Sequence, residues 1–240
     1  MSREEKIKKN RRKSRREEGP GFGIRVLYED EFIIAIDKPP GLLSIASDRE
    51  SLKTAYFIVG EYLKSRTKKH GPAVFIVHRL DRDTSGVLVF ARDRKTKEIF
   101  QKDWENVGKF YTALVEGIPE PASGTVESYL EENRARRVYS TKHGEGRPAK
   151  TGYRTLRAGD GHALLEIELF TGKKNQIRVH LADIGHPVSG DKKYGAKANP
   201  LRRMALHSCR VLFNHPRTGK LMRIVSDAPS SFKRLVKTQS

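Results

Sequence analysis

The chain has 240 residues and a mass of 27.3 kDa, room for one large domain or two small ones with a sizeable core. Its 48 Lys and Arg outnumber 29 Asp and Glu, and the formal net charge of +19 points to a polyanionic partner, nucleic acid ahead of a membrane surface. A single cysteine, Cys209, excludes an intramolecular disulfide framework and a multi-cysteine zinc site, and no apolar run approaches the roughly 20 residues that span a bilayer. With no signal-peptide core at its start, the sequence predicts a soluble, cytoplasmic protein that does not enter membranes.

Residues 1–18 carry nine Lys or Arg against four Glu, a net of +5, with Ile7 the one large aliphatic besides Met1. Such a segment cannot bury a core and reads as a basic arm, either a nucleic-acid contact or a solvated tail. Gly19-Pro20-Gly21 marks its boundary, so residues 1–23 are expected to be a flexible arm and 24–240 one folded domain. From Ile24 onward strand-like and helix-like runs interleave without strict βαβ order, predicting an α+β domain. Strands are expected at Arg25–Tyr28, Phe32–Asp37, Gly86–Ala91, Lys109–Glu116, Ala163–Phe170 and Gly219–Ile224. In Leu165-Glu166-Ile167-Glu168-Leu169 the period-two alternation implies one buried and one wet face, which favours antiparallel pairing. A helix capped by Ser51 buries Leu52, Ala55, Tyr56, Val59 and Leu63, and a second is expected over Lys95–Trp104. A third is expected to be capped by Asn175, to line Ile177, Leu181 and Ile184 on one face, and to stop at Gly185.

The densest polar cluster is His78-Arg79-Leu80-Asp81-Arg82-Asp83-Thr84-Ser85-Gly86, set between the apolar runs Ala73–Val77 and Val87–Ala91. A polar loop between two strands is where a rigid scaffold presents catalytic groups, although a charged turn bonded to its own backbone has the same composition. A metal site built on His78, Asp81 and Asp83 matches no specific ligand spacing, and Arg79 and Arg82 would repel a cation.

The same nine residues resemble the H-R-L-D-x-x-T-S-G signature of the RluA-type pseudouridine synthases. Asp37-Lys38-Pro39-Pro40-Gly41 precedes them in the order found in that family, and Lys109-Phe110-Tyr111-Thr112-Ala113-Leu114-Val115 resembles its K-x-Y-x-A-x-V strand. Thr171–His180, Gly190–Gly195, Ala205–Ser208 and Asn214–Pro216 continue the series, so the resemblance spans nearly all of the folded part. It implies a pseudouridine synthase fold, a largely antiparallel mixed sheet with flanking helices and a central RNA-binding cleft. It also implies an enzyme that isomerises uridine in ribosomal or transfer RNA, works without a cofactor or metal, and is a monomer.

By the same resemblance Asp81 is the catalytic carboxylate, Tyr111 its aromatic neighbour and Arg178 the arginine that pairs with it. The reaction breaks a C–N glycosidic bond, turns the uracil and forms a C–C bond. An ionised carboxylate suits it either as nucleophile or as a base toward the ribose. Arg178 would keep Asp81 ionised, and Tyr111 offers a face for stacking on the base. His78, Arg79, Arg82, Thr84, Lys173, Lys174 and Gln176 are the expected substrate-binding residues.

The chain departs from the family pattern T-G-R-T-H-Q-I-R at Thr171-Gly172-Lys173-Lys174-Asn175-Gln176-Ile177-Arg178, where two lysines keep positive charge at a helix start able to meet a phosphate. It also lacks residues enough before Ile24 for the S4-type domain of many relatives, and so resembles the single-domain branch. Two other classes fit the composition: a non-catalytic RNA-binding protein, which would tolerate loss of Asp81, and a metal-dependent RNA hydrolase, which would shorten its substrate.

Overall fold

In the computed structural model residues 19–46, 53–66 and 74–236 are described. Eleven strands form one mixed sheet: β1 (Arg25–Glu29), β2 (Ile33–Lys38), β3 (Phe75–Ile76), β4 (Ser85–Ala91), β5 (Gly108–Glu116), β6 (Ser123–Glu132), β7 (Val138–Thr141), β8 (Arg147–Gly159), β9 (His162–Leu169), β10 (Leu206–Asn214) and β11 (Leu221–Val225). The helices are α1 (Ala55–Arg66), α2 (Arg94–Asp103), α3 (Gln176–Asp183) and α4 (Ser230–Arg234). The expected α+β class and the dominance of antiparallel pairing are found: among the described strands only β4 and β10 pair in parallel.

The path β1-β2-β4-β10-β5-β9-β8-β6-β7 consists of two lobes joined at that parallel seam, which holds only the pairs His207 with Ser85 and Ser208 with Gly86. Beyond the seam β3 takes up the remaining edge of β4, and β11 takes up that of β10. The seam is close because residue 86 is glycine. At φ +108 a Cβ there would lie 2.2 Å from Ser208 O and 2.7 Å from Ser208 N, a collision with backbone that no side-chain adjustment relieves. Across the seam Gly86, Ser208, Tyr111 and Ile167 stand in one cross-strand row, so the loop entering β4 is carried to the strand that bears Tyr111.

The main core packs Ile34, Ile36, Leu88 and Phe90 with Ala113, Leu165 and Ile167 and with Val59 and Leu63 of α1. On the other face of β4 Val87, Val89 and Phe100 of α2 pack with Val211 and Phe213. β4 is buried along its whole length, as a strand covered on both faces must be, and its continuous apolar run follows from that. In β9 Leu165, Ile167 and Leu169 are buried while Glu168 is exposed, the predicted alternation.

Several elements differ from the sequence-based expectation. β6, β7 and β8 carry largely exposed, polar residues, and their strand conformation is imposed by pairing outward from β9. β10 breaks the apolar pattern with His207 and Ser208, both buried in a polar network at the seam. The Ser51 cap and the arm over 1–18 lie outside the described residues. Asn175 precedes α3 but does not cap it with its side chain; at φ 55 it takes the left-handed conformation and its amide is used elsewhere, whereas Gly185 ends the turn at φ 82 as expected.

Candidate active site

The catalytic-type loop runs from β3 to β4 over residues 77–84 and is held from beneath by the segment after β2. Ser44 Oγ donates to Leu80 O at 2.7 Å and accepts from Leu80 N at 3.0 Å, tying the residue before Asp81 in place. Gly41 N donates to Arg82 O at 2.9 Å, tying the residue after it. Lys38, fully buried, places Nζ within 2.9 Å of Pro39 O, 2.7 Å of Leu42 O and 2.9 Å of Arg82 O. Three carbonyls match the three N–H bonds of an ammonium. Burial pushes Lys38 down to about 7, against the pull of Asp83 and Asp81. The Asp37–Gly41 motif is thus the cradle of the loop.

Arg178, on α3, reaches across to this loop. Its Nη1 donates to Asp81 Oδ2 at 3.2 Å, joining residues 97 positions apart in sequence. Its stronger hold is on Asp191, whose Oδ2 accepts from Nε at 2.6 Å and whose Oδ1 accepts from Nη2 at 2.8 Å, a bidentate fork. The Asp191 side chain is 2% exposed and that of Asp81 is 31% exposed, so one carboxylate is an internal anchor and the other faces the cleft. Burial disfavours the charge on Arg178, but Asp191 and then Asp81 raise its proton affinity above the ordinary arginine value.

Asn175 completes the shell: Oδ1 accepts from Arg178 Nη1 at 3.0 Å, and Nδ2 donates to Tyr194 Oη at 2.9 Å. The Arg178 guanidinium lies 4.9 Å from the centroid of the Tyr194 ring. Side chains bonding both ways explain why the amide of Asn175 is not spent on a helix cap.

Tyr111 on β5 is buried, with its hydroxyl hydrogen-bonded to the Ser208 side chain. Burial, then the field of Asp81, raises its phenol above the usual value and keeps it protonated at neutral pH. Asp81, Tyr111 and Arg178 all line one cleft of about 700 Å³, open to solvent and of a size to take a nucleotide with part of its neighbours.

The other predicted binding residues divide. Arg79 and Arg82 are exposed on the loop, and Lys173 and Lys174 lie at the mouth on the α3 side. Lys174 is ion-paired with Glu132. His78, Thr84 and Gln176 line the cleft but are committed to the protein. His78 Nε2 accepts from Val89 N at 3.0 Å and its ring stacks on Trp104 at 4.6 Å; burial, helped by Lys109, pushes it down to about 3, so it is neutral. Thr84 is buried, and its N–H closes a turn onto Asp81 O. Gln176 accepts from Thr171 Oγ1 and Lys173 N and donates to Lys150 O and Thr151 Oγ1, which fills its amide. The Lys173 N–H is engaged in this way and not open to a phosphate, contrary to the expectation for the helix start. Lys38, Asp191, Asn175 and Tyr194 were not predicted as site residues. Their only sequence signal was membership of the motifs Asp37–Gly41, Thr171–His180 and Gly190–Gly195, because nothing in a linear chain shows which carboxylate an arginine will meet. Among the described residues no group of three or more His, Cys, Asp or Glu is placed to hold a metal ion.

The family profile for RNA pseudouridylate synthase matches residues 32–183. An uncharacterized RNA pseudouridine synthase of Bacillus subtilis, YhcT, is 34% identical over 231 residues, covering 91% of this chain and 74% of its own. Ribosomal large subunit pseudouridine synthase D of Haemophilus influenzae is 30% identical over 235 residues, covering 91% of this chain and 72% of its own. Among solved structures, human RNA pseudouridylate synthase domain containing 4 shares the fold at a TM-score of 0.72 and 23% identity, over 88% of this chain and 92% of that one. With the profile spanning more than half of the sequence and relatives at 30% and 34% identity along nearly all of it, the chain belongs to the RluA-type RNA pseudouridine synthases, isomerases that convert uridine in RNA to pseudouridine.

Proposed function

We propose that Asp81 is the catalytic carboxylate of this enzyme, that Arg178 orients it, and that Tyr111 is the surface on which the uracil turns. The single observation that carries this reading is the 3.2 Å contact between Arg178 Nη1 and Asp81 Oδ2 in an open cleft that Tyr111, on β5, also lines. A uridine inside a folded RNA must leave its stack to reach Asp81, so the substrate nucleotide is extruded into the cleft. There the C1′–N1 bond breaks, the uracil rotates, C1′ bonds to C5, the C5 proton leaves and N1 gains one, with no net redox change. Asp81 serves either as nucleophile toward the sugar or as base toward a ribose proton. A protonated Tyr111 presents a ring face to the base and does not compete with Asp81 for charge.

Arg79, Arg82, Lys173 and Lys174 contact the RNA around this site, and His78, Thr84 and Gln176 act by shaping the cleft wall. The substrate is ribosomal or transfer RNA; a relative named as a large-subunit ribosomal enzyme supports the former. The basic residues 1–23 add phosphate contacts to a catalytic domain over 24–240, and the enzyme works in the cytoplasm without a cofactor, as an isomerisation with no net redox change allows; a monomer suffices because Asp81, Tyr111 and Arg178 line one cleft of a single chain.

The test is transcriptome-wide pseudouridine mapping in cells lacking the gene, complemented by the parent or by Asp81→Asn. The site restored by the parent identifies the target, and Asp81→Asn should bind that RNA yet leave the site unmodified. Turnover by Asp81→Asn within about tenfold of the parent would overturn the assignment.

A further inference from the structure

Arg203, in the segment before β10, spends its guanidinium on neutral acceptors. Nη2 donates to Ser85 Oγ at 2.8 Å and to Leu206 O at 3.4 Å, and Nε donates to Met204 O at 3.0 Å. Burial lowers its proton affinity below the ordinary arginine value, and Asp83 and Asp37 oppose that effect without forming an ion pair with it. A guanidinium desolvated against neutral partners costs more than an apolar side chain of similar volume would.

The bonds beyond Ser85 run in one direction. Ser226 O can only accept, so His207 Nε2, 3.0 Å away, carries the ring proton. Burial holds His207 below the ordinary imidazole value and the ring is neutral, which leaves Nδ1 bare to accept from Ser85 Oγ at 2.8 Å. The one hydroxyl proton of Ser85 is used in this way, and its lone pairs are left for Arg203. Both Ser85 and His207 are buried at the seam between β4 and β10.

Through its backbone Arg203 also touches the other half of the site. Its carbonyl oxygen is so near Gly190 that a Cβ there would lie 2.4 Å from it, and Ala205 N donates to Ser189 O at 2.9 Å. The residue after Gly190 is Asp191, the acid that grips Arg178. On the opposite side a single turn, closed by Thr84 N on Asp81 O at 3.2 Å, separates Ser85 from Asp81. The contacts close a circuit that runs from Asp81 to Arg178, to Asp191 and its neighbour Gly190, to Arg203, and through Ser85 back to the loop of Asp81. Among the described residues the cleft lining reaches Thr84 and includes neither Ser85 nor Arg203.

We propose that Arg203 and Ser85 are positioning residues for the isomerisation: their hydrogen bond holds the loop of Asp81 at a fixed distance from the turn of Asp191, and so sets the 3.2 Å contact between Asp81 and Arg178. This role rests on the catalytic reading of Asp81 and is exerted without contact to the RNA.

The test is single-turnover pseudouridine formation at saturating RNA, with RNA affinity measured alongside, on ribosomal and transfer RNA extracted from cells that lack the gene. Full-length Ser85→Ala, Arg203→Met and the double variant are compared with the parent at a temperature where circular dichroism shows each one folded. Each single change should lower the saturated rate about tenfold or more while affinity stays within about twofold. Because both remove the same bond, the double variant should fall within about threefold of the slower single one. Parental rates in the single variants, a loss that appears in affinity instead of rate, or a double variant slowed by the product of the two single losses would each overturn the positioning role. If Arg203→Met does not fold, Ser85→Ala, the smaller change, decides by the same two readouts. Asp81→Asn run alongside separates the two readings. Retained turnover there overturns the catalytic reading of Asp81 and the positioning role with it, whereas lost turnover beside a parental rate in Ser85→Ala overturns the positioning role alone.

Discussion

Asp191 receives two hydrogen bonds from Arg178, at 2.6 and 2.8 Å, where Asp81 receives one at 3.2 Å. The buried acid fixes the guanidinium, and the cleft-facing acid borrows its remaining donor. On the proposed catalytic reading, this division lets Asp81 keep lone pairs for substrate without Arg178 having to move.

Asp191→Asn should therefore damage catalysis without touching substrate. The amide keeps the shape but loses the charge, leaving Arg178 half-buried with Asp81 and Asn175 as partners. Breaking a buried ion pair costs roughly 3–5 kcal/mol, and the low end applies because Asp81 stays beside the cation. Thermal unfolding should show that loss, and the single-turnover rate should fall at least about tenfold with little change in RNA affinity. A parental rate would show that Asp191 plays no part in positioning.

Lys38→Met should loosen the catalytic loop. The carbonyls of Pro39, Leu42 and Arg82 lose their shared donor in a buried place; Arg82 O keeps the Gly41 N–H, and the other two cost about 1–3 kcal/mol each if left unsatisfied. Lower stability and much reduced turnover are expected, with amide exchange in residues 77–84 accelerated. Unchanged exchange there would contradict the cradle role.

Gly86→Ala should break the seam between β4 and β10. A methyl group 2.2 Å from Ser208 O meets backbone on a strand that is itself paired on its other side, at a φ of +108 that L-residues disfavour. A destabilisation of about 3 kcal/mol or more and loss of activity are expected. A melting temperature within a degree or two of the parent would refute the steric argument.

Asp30→Asn should change the acid limb of stability. Burial pulls the Asp30 carboxyl up, but N–H donors of Ile33 and Phe32, the Tyr28 hydroxyl and His215 together hold it below its ordinary value. A depressed carboxyl contributes stability that is present above its unfolded value and lost as the pH falls through the folded one. The parent should lose this increment below about pH 4, and Asp30→Asn should show a flatter decline there while being less stable near neutrality. Parallel curves for the two proteins would contradict the coupling.

Turnover should survive dialysis against EDTA. The side chains closest to Asp81 include Arg178, and the buried Lys38 lies within its field, so a divalent ion would enter a site already occupied by positive charge. Activity lost to chelation and restored by one specific ion, with the RNA fold unchanged, would overturn this.

Much of the site was written in the chain. The family resemblance of His78–Gly86 singled out Asp81 and that of Lys109–Val115 singled out Tyr111, whereas the apolar runs on both sides of the polar cluster showed only where that loop sits. The apolar strands β2, β4, β5 and β9 were readable for the same reason: their burial is recorded in their composition. β6, β7 and β8 were not, since their residues are mostly wet and their conformation comes from partners far along the chain.

What the sequence alone determined, then, is the family, the motifs that carry the proposed catalytic groups and the apolar framework beneath them, all of which are properties of short segments. Which acid grips Arg178, why position 86 admits only glycine, and that Asn175 serves an arginine and a tyrosine instead of a helix end were decided by tertiary contacts. Apart from the local bond between Asn175 and Arg178, those depend on residues brought together from well along the chain: Arg178 and Asp191 are 13 positions apart, Asn175 and Tyr194 are 19, and Gly86 meets Ser208 on another strand. A hydrogen bond acts over about 3 Å, and no pattern along the chain records which distant donor and acceptor the folded sheet will bring within that reach.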